Sequence, residues 1–252
     1  MQYREFGPEN AEILLLLHGG GLSWWNYREE AELLRRDYHV VLPILDGHAG
    51  SDRHFTTIGD NAAEILSLID GRFGGRVLLI GGLSLGGQIL LEMLSRRGNV
   101  CRHALVESAM VIPSRLTHAM IGPAFGASWG LTKNRRFAKL QFESLRMKPT
   151  LFDDYYRDTC AIEKTDMIAF MKANTSYALG DAIAGCTASV HVFAGEKETR
   201  GILRSAEMIC GKVPGSVLTV LPGLYHGEFS LNHADRYAET VRSILADGGG
   251  TL

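Results

Sequence analysis

Arg76-Val77-Leu78-Leu79-Ile80-Gly81-Gly82-Leu83-Ser84-Leu85-Gly86-Gly87-Gln88 is the stretch whose reading decides the fold. It begins as an apolar run, passes through glycines that flank a serine, and continues through Gln88 to Arg97 with helical spacing. A strand that enters a helix through so short a turn gives Gly82-Leu83-Ser84-Leu85-Gly86 its meaning. The serine must sit in strained backbone, and the flanking glycines remove Cβ atoms that would meet neighbouring main chain. Ser84 Oγ then projects above the carboxyl ends of the strands, and the helix that follows turns its N-terminus toward developing negative charge. The competing reading is a plain glycine-rich turn.

Working toward the N-terminus, the most apolar run of the chain, Ile13 to Leu17, leads into His18-Gly19-Gly20-Gly21. Glycines at that place allow a backbone N–H to approach a ligand oxygen. Paired with the Leu85 N–H, the Gly20 N–H would form an oxyanion hole, with Gly21 as the reserve donor. A simple strand-to-helix turn is the alternative. Trp24 and Trp25, just beyond, either wall a substrate pocket or staple the following helix.

Outside these two signals the chain alternates. Short apolar runs at Ile13 to Leu17, His39 to Leu42, Val77 to Ile80, Ala104 to Val106, Val190 to Phe193 and Val217 to Leu221 predict buried strands. Helical patterns lie between them at Tyr27 to Arg36, Asp60 to Arg72, Leu85 to Arg97, Arg200 to Lys212 and His233 to Asp247. Thr57 followed by Asp60 predicts the cap of the second helix. Strand alternating with helix implies right-handed crossovers and an α/β fold with a mostly parallel sheet, helices on both faces.

The alternation stops between Val111 and Ala184, where aromatic and Met-rich sequence has helical spacing and no strand pattern. An insertion of that length inside an α/β domain is expected to be a functional lid. The expected organisation is therefore a core of residues 1–110 and 185–252 with a helical cap at 111–184. Phe125 and Trp129 are its candidate pocket residues, together with further aromatics of the insertion; packing onto the sheet is the other use of such side chains.

Composition narrows the function. A net charge of -2 from 26 basic and 28 acidic side chains supplies no field for a phosphate backbone or an anionic bilayer, so neither nucleic acid nor membrane is an expected partner. Lys133, Arg135, Arg136 and Lys139 read as a solvated helix face. Cys101, Cys160, Cys186 and Cys210 are far apart, without CxxC spacing or a His at metal-ligand spacing, and read as free buried thiols. No metal is expected. The N-terminus carries no apolar signal core, and a cytoplasmic location is the expectation.

The landmarks LLLLHGGG, LDGHAGSD, GGLSLGG, VFAGEKE and PGLYHGEF, in this order and over nearly the whole chain, resemble the α/β-hydrolase fold superfamily, especially its small capped esterase-like members. The resemblance implies a cap inserted after the sixth strand and a triad in the order Ser, acid, His, with the acid after a late strand and the His after the last. His226 in Pro222-Gly223-Leu224-Tyr225-His226-Gly227 is the one histidine of nine in the loop between the last predicted strand and the last predicted helix, which His233 opens. His18 is expected to buttress the oxyanion loop, and His48 to hold a turn.

For the acid, Val190 to Phe193 leads into Ala194-Gly195-Glu196-Lys197-Glu198, where the resembling family carries Asp at the place of Glu198. Glu198 is the first candidate. Glu107, after Ala104 to Val106, stands where some members of the fold place their acid and is the alternative, with Glu196 a further one. A second departure is Ile44, just before the LDGHAGSD landmark, and Ala49 within it, in places where related chains carry Asp and Gly.

The resemblance implies a serine hydrolase, with a carboxylesterase acting on small to medium esters as the leading reading and no cofactor. Thioesterase, lactonase, C–C hydrolase and a lyase of the kind found in menaquinone synthesis would use the same residues. A slow-turnover ligand receptor that keeps the triad is the reading from another class. Oligomeric state is not legible in the sequence.

Overall fold

The computed structural model describes residues 1–247, with the backbone alone for residues 127, 128 and 247. Seven strands form one sheet in the order β1-β3-β2-β4-β5-β6-β7. They are β1 (Tyr3–Phe6), β2 (Ile13–Leu17), β3 (His39–Pro43), β4 (Val77–Leu83), β5 (Cys101–Glu107), β6 (Ser189–Gly195) and β7 (Val217–Leu221). All neighbours are parallel except β1, which runs antiparallel along β3. The helices are α1 (Arg28–Leu34), α2 (Ile58–Arg72), α3 (Leu85–Arg96), α4 (Arg115–Thr132), α5 (Arg135–Ser144), α6 (Phe152–Ala161), α7 (Lys164–Ser176), α8 (Arg200–Lys212), α9 (Glu228–Asn232) and α10 (Ala234–Asp247).

Alternate side chains of the central strands feed two cores. Leu15 and Leu17 of β2 pack with Ile65 of α2 and Ile89 of α3 on one face. Leu14 and Leu16 pack with Leu34 of α1 and Val241 of α10 on the other. Each fully buried leucine contributes roughly 2 kcal/mol of transfer free energy, which is why these strands are apolar on both faces. The α2 cap is as expected: the Asp60 N–H donates to Thr57 Oγ1 at 2.9 Å, and the Thr57 hydroxyl donates to Asp60 Oδ2 at 2.8 Å.

Strand register places the site. Leu17 pairs with Gly82, Leu83 with Glu107, Glu107 with Phe193, and Gly195 with Leu221. The turns that leave these strand ends therefore lie side by side along one edge of the sheet. The turns after β2, β4, β6 and β7 are those that carry Gly20, Ser84, Glu198 and His226.

Between β5 and β6 the described residues form α4 to α7 and two short 3-10 turns, with no strand. This insertion leaves the sheet after the fifth strand in the chain, not the sixth. One strand, β3, lies between β2 and β4, and one, β1, precedes β2, so the N-terminal half supplies one strand fewer than the resemblance implies. Its aromatics serve packing. Phe142, Tyr155 and Phe170 are buried, and Phe142 meets Phe152 and Tyr155 at ring-centroid distances of 5.3 Å. Lys133, Arg135, Arg136 and Lys139 are exposed, as expected. All four cysteines are free, but Cys101 alone among them is buried. Among the described residues no helix is long and apolar enough to cross a membrane.

Candidate active site

Ser84 follows β4 and caps α3 with φ 51° and ψ -108°. Left-handed φ in a non-glycine residue costs roughly 1–3 kcal/mol and persists where the surroundings enforce it. They do so here by close contact. A Cβ on Gly86 would lie 2.2 Å from the Leu17 carbonyl oxygen, and one on Gly82 would lie 2.5 Å from Gly86 main chain. The Ser84 N–H donates to the Glu107 carbonyl at 2.8 Å, tying the turn to the end of β5.

His226 is held from the opposite side. Its Nδ1 lies 3.0 Å from Glu198 Oε2, so the ring proton on Nδ1 donates to the carboxylate and Nε2 is left as the acceptor. Dehydration of the ring works to lower its pKa; the Glu198 hydrogen bond and the charges of Glu198 and Glu107 outweigh it and raise the value. The loops that carry acid and imidazole are packed main chain to main chain. A Cβ on Gly195 would sit 2.3 Å from the Leu224 carbonyl oxygen, and the Lys197 N–H donates to that same oxygen at 2.8 Å.

The other carboxylates are engaged elsewhere. Glu196 Oε2 accepts the Gly223 N–H at 2.8 Å on the surface. Glu107 Oε1 accepts the Ser230 N–H at 3.2 Å and makes no hydrogen bond to the imidazole. Burial pushes the Glu107 carboxyl up to about 7, against the lowering influence of the neighbouring Ser230 and of His226.

The loop after β2 is braced by two neutral histidines. His18 Nε2 accepts the Leu45 N–H at 3.1 Å while Nδ1 donates to the Gly19 carbonyl at 2.9 Å. His48 Nε2 accepts the Gly21 N–H at 3.0 Å while Nδ1 donates to the Asp46 carbonyl. Burial lowers both pKa values, that of His48 to about 4. The Gly21 amide is thus already bonded, which removes it as a reserve oxyanion donor. The Gly19 amide is bonded to Asn26 Oδ1. His48 therefore does more than hold a turn; its distance of 27 residues from Gly21 hid that contact from the sequence.

Ser84 and His226 line one cavity of about 80 Å³, together with Gly19, Gly20, Leu22, Leu83, Leu145, Met147 and Leu231. Among the described residues the Ser84 hydroxyl makes no hydrogen bond to the ring. None of Trp24, Trp25, Phe125 and Trp129 lines this cavity. Trp25 is buried, and its Nε1–H donates to Asp158 Oδ2 of α6 at 2.7 Å. Trp24 packs near Phe6, with the Arg4 and Arg28 guanidinium groups over its ring. Phe125 and Trp129 pack against the core on the α2 and α3 side. The lining is supplied instead by aliphatic side chains, of which Leu145 and Met147 come from the turn after α5, a segment with no signal of its own.

One group of side chains among the described residues has the spacing of metal ligands: His54, Glu163 and Asp166, whose donor atoms lie within 4.8 Å of one another. It borders a different pocket, of about 280 Å³, between the 47–54 loop and the start of α7. Two of its members are already paired, with His54 Nδ1 3.0 Å from Asp166 Oδ2 and the Phe55 N–H donating to Asp166 Oδ1.

A profile of a family described as "Alpha/beta hydrolase family" matches residues 14–240. Among solved structures, an esterase from Exiguobacterium antarcticum superposes with a TM-score of 0.82 at 18% identity, over 97% of this chain and 94% of that one. A thermophilic esterase from Thermogutta terrifontis gives 0.79 at 16% identity, over 98% and 93%. An enol-lactonase from Burkholderia xenovorans LB400 gives 0.77 at 16% identity, over 97% and 96%. Likeness at such identity shows a shared fold.

Proposed function

The chain belongs to the alpha/beta hydrolase family, and on that premise we propose that it hydrolyses carboxylic esters by two-step acyl transfer at Ser84. The observation that carries the reading is the 3.0 Å contact of His226 Nδ1 with Glu198 Oε2: a carboxylate there calls for the proton on Nδ1, which leaves Nε2 basic beside the cavity that Ser84 and His226 line. Nε2 takes the Ser84 proton as Oγ attacks the carbonyl carbon. Glu198 orients the ring and stabilises the imidazolium that results. The proton then passes to the leaving alcohol, and water repeats the sequence on the acyl-enzyme.

The Gly20 and Leu85 amides are the donors for the tetrahedral oxyanion. Neither has another hydrogen-bond partner among the described residues, and both neighbour the serine. The cavity is small and walled by Leu22, Leu145, Met147 and Leu231, which suits a short, uncharged acyl group. Residues 111–184 serve as the cap, and α7 delivers Phe170 against Gly20, where a Cβ on that glycine would be 3.6 Å from the ring.

The test is hydrolysis of nitrophenyl acetate by the chain and by Ser84→Ala. Loss of the nucleophile lowers kcat by about 10⁴-fold or more. Equal rates for the two proteins reject the reading. A panel of esters, thioesters and lactones of graded chain length then identifies what the cavity admits.

A further inference from the structure

Glu107, the last residue of β5, is 1% exposed, and the two hydrogen bonds described for it outside the sheet ladder serve no step of the proposed hydrolysis. Through its carbonyl it holds the Ser84 N–H at 2.8 Å. Through Oε1 it holds the Ser230 N–H at 3.2 Å, in the helix α9 that starts two residues beyond His226. One residue thus grips the turn that carries the hydroxyl and the element behind the imidazole.

We propose that Glu107 is a positioning residue that sets the separation of Ser84 and His226; this rests on the assignment of those two residues made above. A buried carboxyl is costly, and an apolar side chain of similar size would fill the space without that cost. Glu107 Oε2 and Ser230 Oγ have no hydrogen-bond partner, and the Tyr27 and Tyr237 hydroxyls and Glu30 Oε1 are in the same condition. A polar group kept in such surroundings must serve through the bond it does make. That bond goes to main chain of the α9 element and not to the ring, so Glu107 acts through Ser230 and the loop before it, whereas Glu198 acts on the imidazole directly.

Position and charge separate in two variants. Gln at 107 keeps an acceptor oxygen for the Ser230 N–H and removes the charge. Leu keeps only the volume. Glu107→Leu is expected to lower kcat for nitrophenyl acetate by about 10- to 100-fold at an almost unchanged KM, because small misplacement of a base costs turnover more than binding. Glu107→Gln is expected to restore kcat to within about threefold of the parent. It should also move the acid limb of the kcat/KM profile to lower pH, since a negative charge facing His226 is gone; the other titratable groups facing Glu107 are Glu198, Glu30, Tyr27 and Tyr237.

If Glu107→Leu does not fold, Glu107→Met takes its place. A folded Leu or Met variant with parental kcat overturns the proposal, and so does a Gln variant as impaired as Leu, which would assign the effect to charge. Ser84→Ala, run alongside, keeps the two failures apart: an active Ser84→Ala protein rejects the hydrolase assignment, and an inactive one leaves the outcome to the Glu107 variants.

Discussion

Glu198 Oε2 and His226 Nδ1 lie 3.0 Å apart, joining a carboxylate side chain that is 1% exposed to a ring that is 49% exposed. The pair is anchored at its buried end, so the ring keeps one orientation while its other edge stays open to a substrate. Glutamate in this place reaches one methylene farther than aspartate would, and the close packing of Gly195 on Leu224 brings the two loops near enough for that reach to close the bond.

Glu198→Gln should lower kcat by roughly 10⁴-fold, because an amide favours the wrong imidazole tautomer. Glu107→Gln, which leaves the Glu198 bond intact, should cost only a few-fold on the same scale. Saturation kinetics on one activated ester compare them, and the reverse ranking would reassign the acid.

In the proposed hydrolysis His226 must be neutral to accept the Ser84 proton, and its pKa in the fold is raised above 6.5. Activity should therefore fall with acid at a higher pH than an ordinary histidine would set, so that the lower midpoint of kcat/KM lies above 6.5. The same shift makes the protonated ring stabilise the fold below 6.5, a contribution lost as pH rises through the higher folded value. A midpoint at or below 6.5 contradicts the geometry.

Glu107 carries the opposite character for a carboxyl, raised from 4.5 to about 7. The folded protein holds that proton where the unfolded chain has released it, so stability declines as pH climbs through this window, by about 3 kcal/mol in all. Denaturant titrations at a series of pH values should show this decline in the parent and a flatter profile in Glu107→Gln. Parallel profiles would mean that the carboxyl is ionised throughout.

Gly86→Ala should abolish soluble folded protein or cost more than about 3 kcal/mol, because its methyl would overlap the carbonyl of Leu17, an immobile strand atom. Gly21→Ala is a useful contrast. That glycine has φ 77° but open space around its missing Cβ, so only the roughly 1 kcal/mol of left-handed strain is expected. Thermal midpoints of the two purified variants separate overlap from strain.

Trp25→Phe should destabilise by about 1–3 kcal/mol, since it removes the donor to Asp158 and leaves a buried carboxylate oxygen without that partner. Calorimetry reads the change. No loss of stability would show that the indole bond does not tie α6 to the region after β2.

Local chemistry was legible wherever short-range order creates it. The strand cores, the Thr57 cap and the whole of α8 from Arg200 to Lys212 follow from periodicity and capping, because these depend on neighbours a few residues away. β1 was not foreseen. Its polar Arg4 and Glu5 and its four-residue length reflect an edge position that needs little burial. The walls of the cavity beside Ser84 and His226 were not legible for a related reason: aromatic side chains attract attention by size, yet Trp25, Phe125 and Trp129 pack in or against the cores, and modest leucines at Leu22, Leu145 and Leu231 are brought to this cavity by tertiary geometry. Glu107 was visible as a strand-end acid; its link to Ser230 spans 123 residues and is carried by topology alone.

The two neutral imidazoles beneath Gly19 and Gly21 give acid a route into the protein that bypasses the reacting groups. His48 is written as a base that the interior refuses to charge until about pH 4, whereas an unfolded chain charges it near 6.5. Acidification therefore drains stability across that interval, and once His48 does take a proton, Nε2 turns from receiver to rival of the Gly21 amide. The proposed cradle for the anion would loosen at that point even with every proposed participant in the chemistry intact, so tolerance of acid should depend on residues that are given no contact with the substrate.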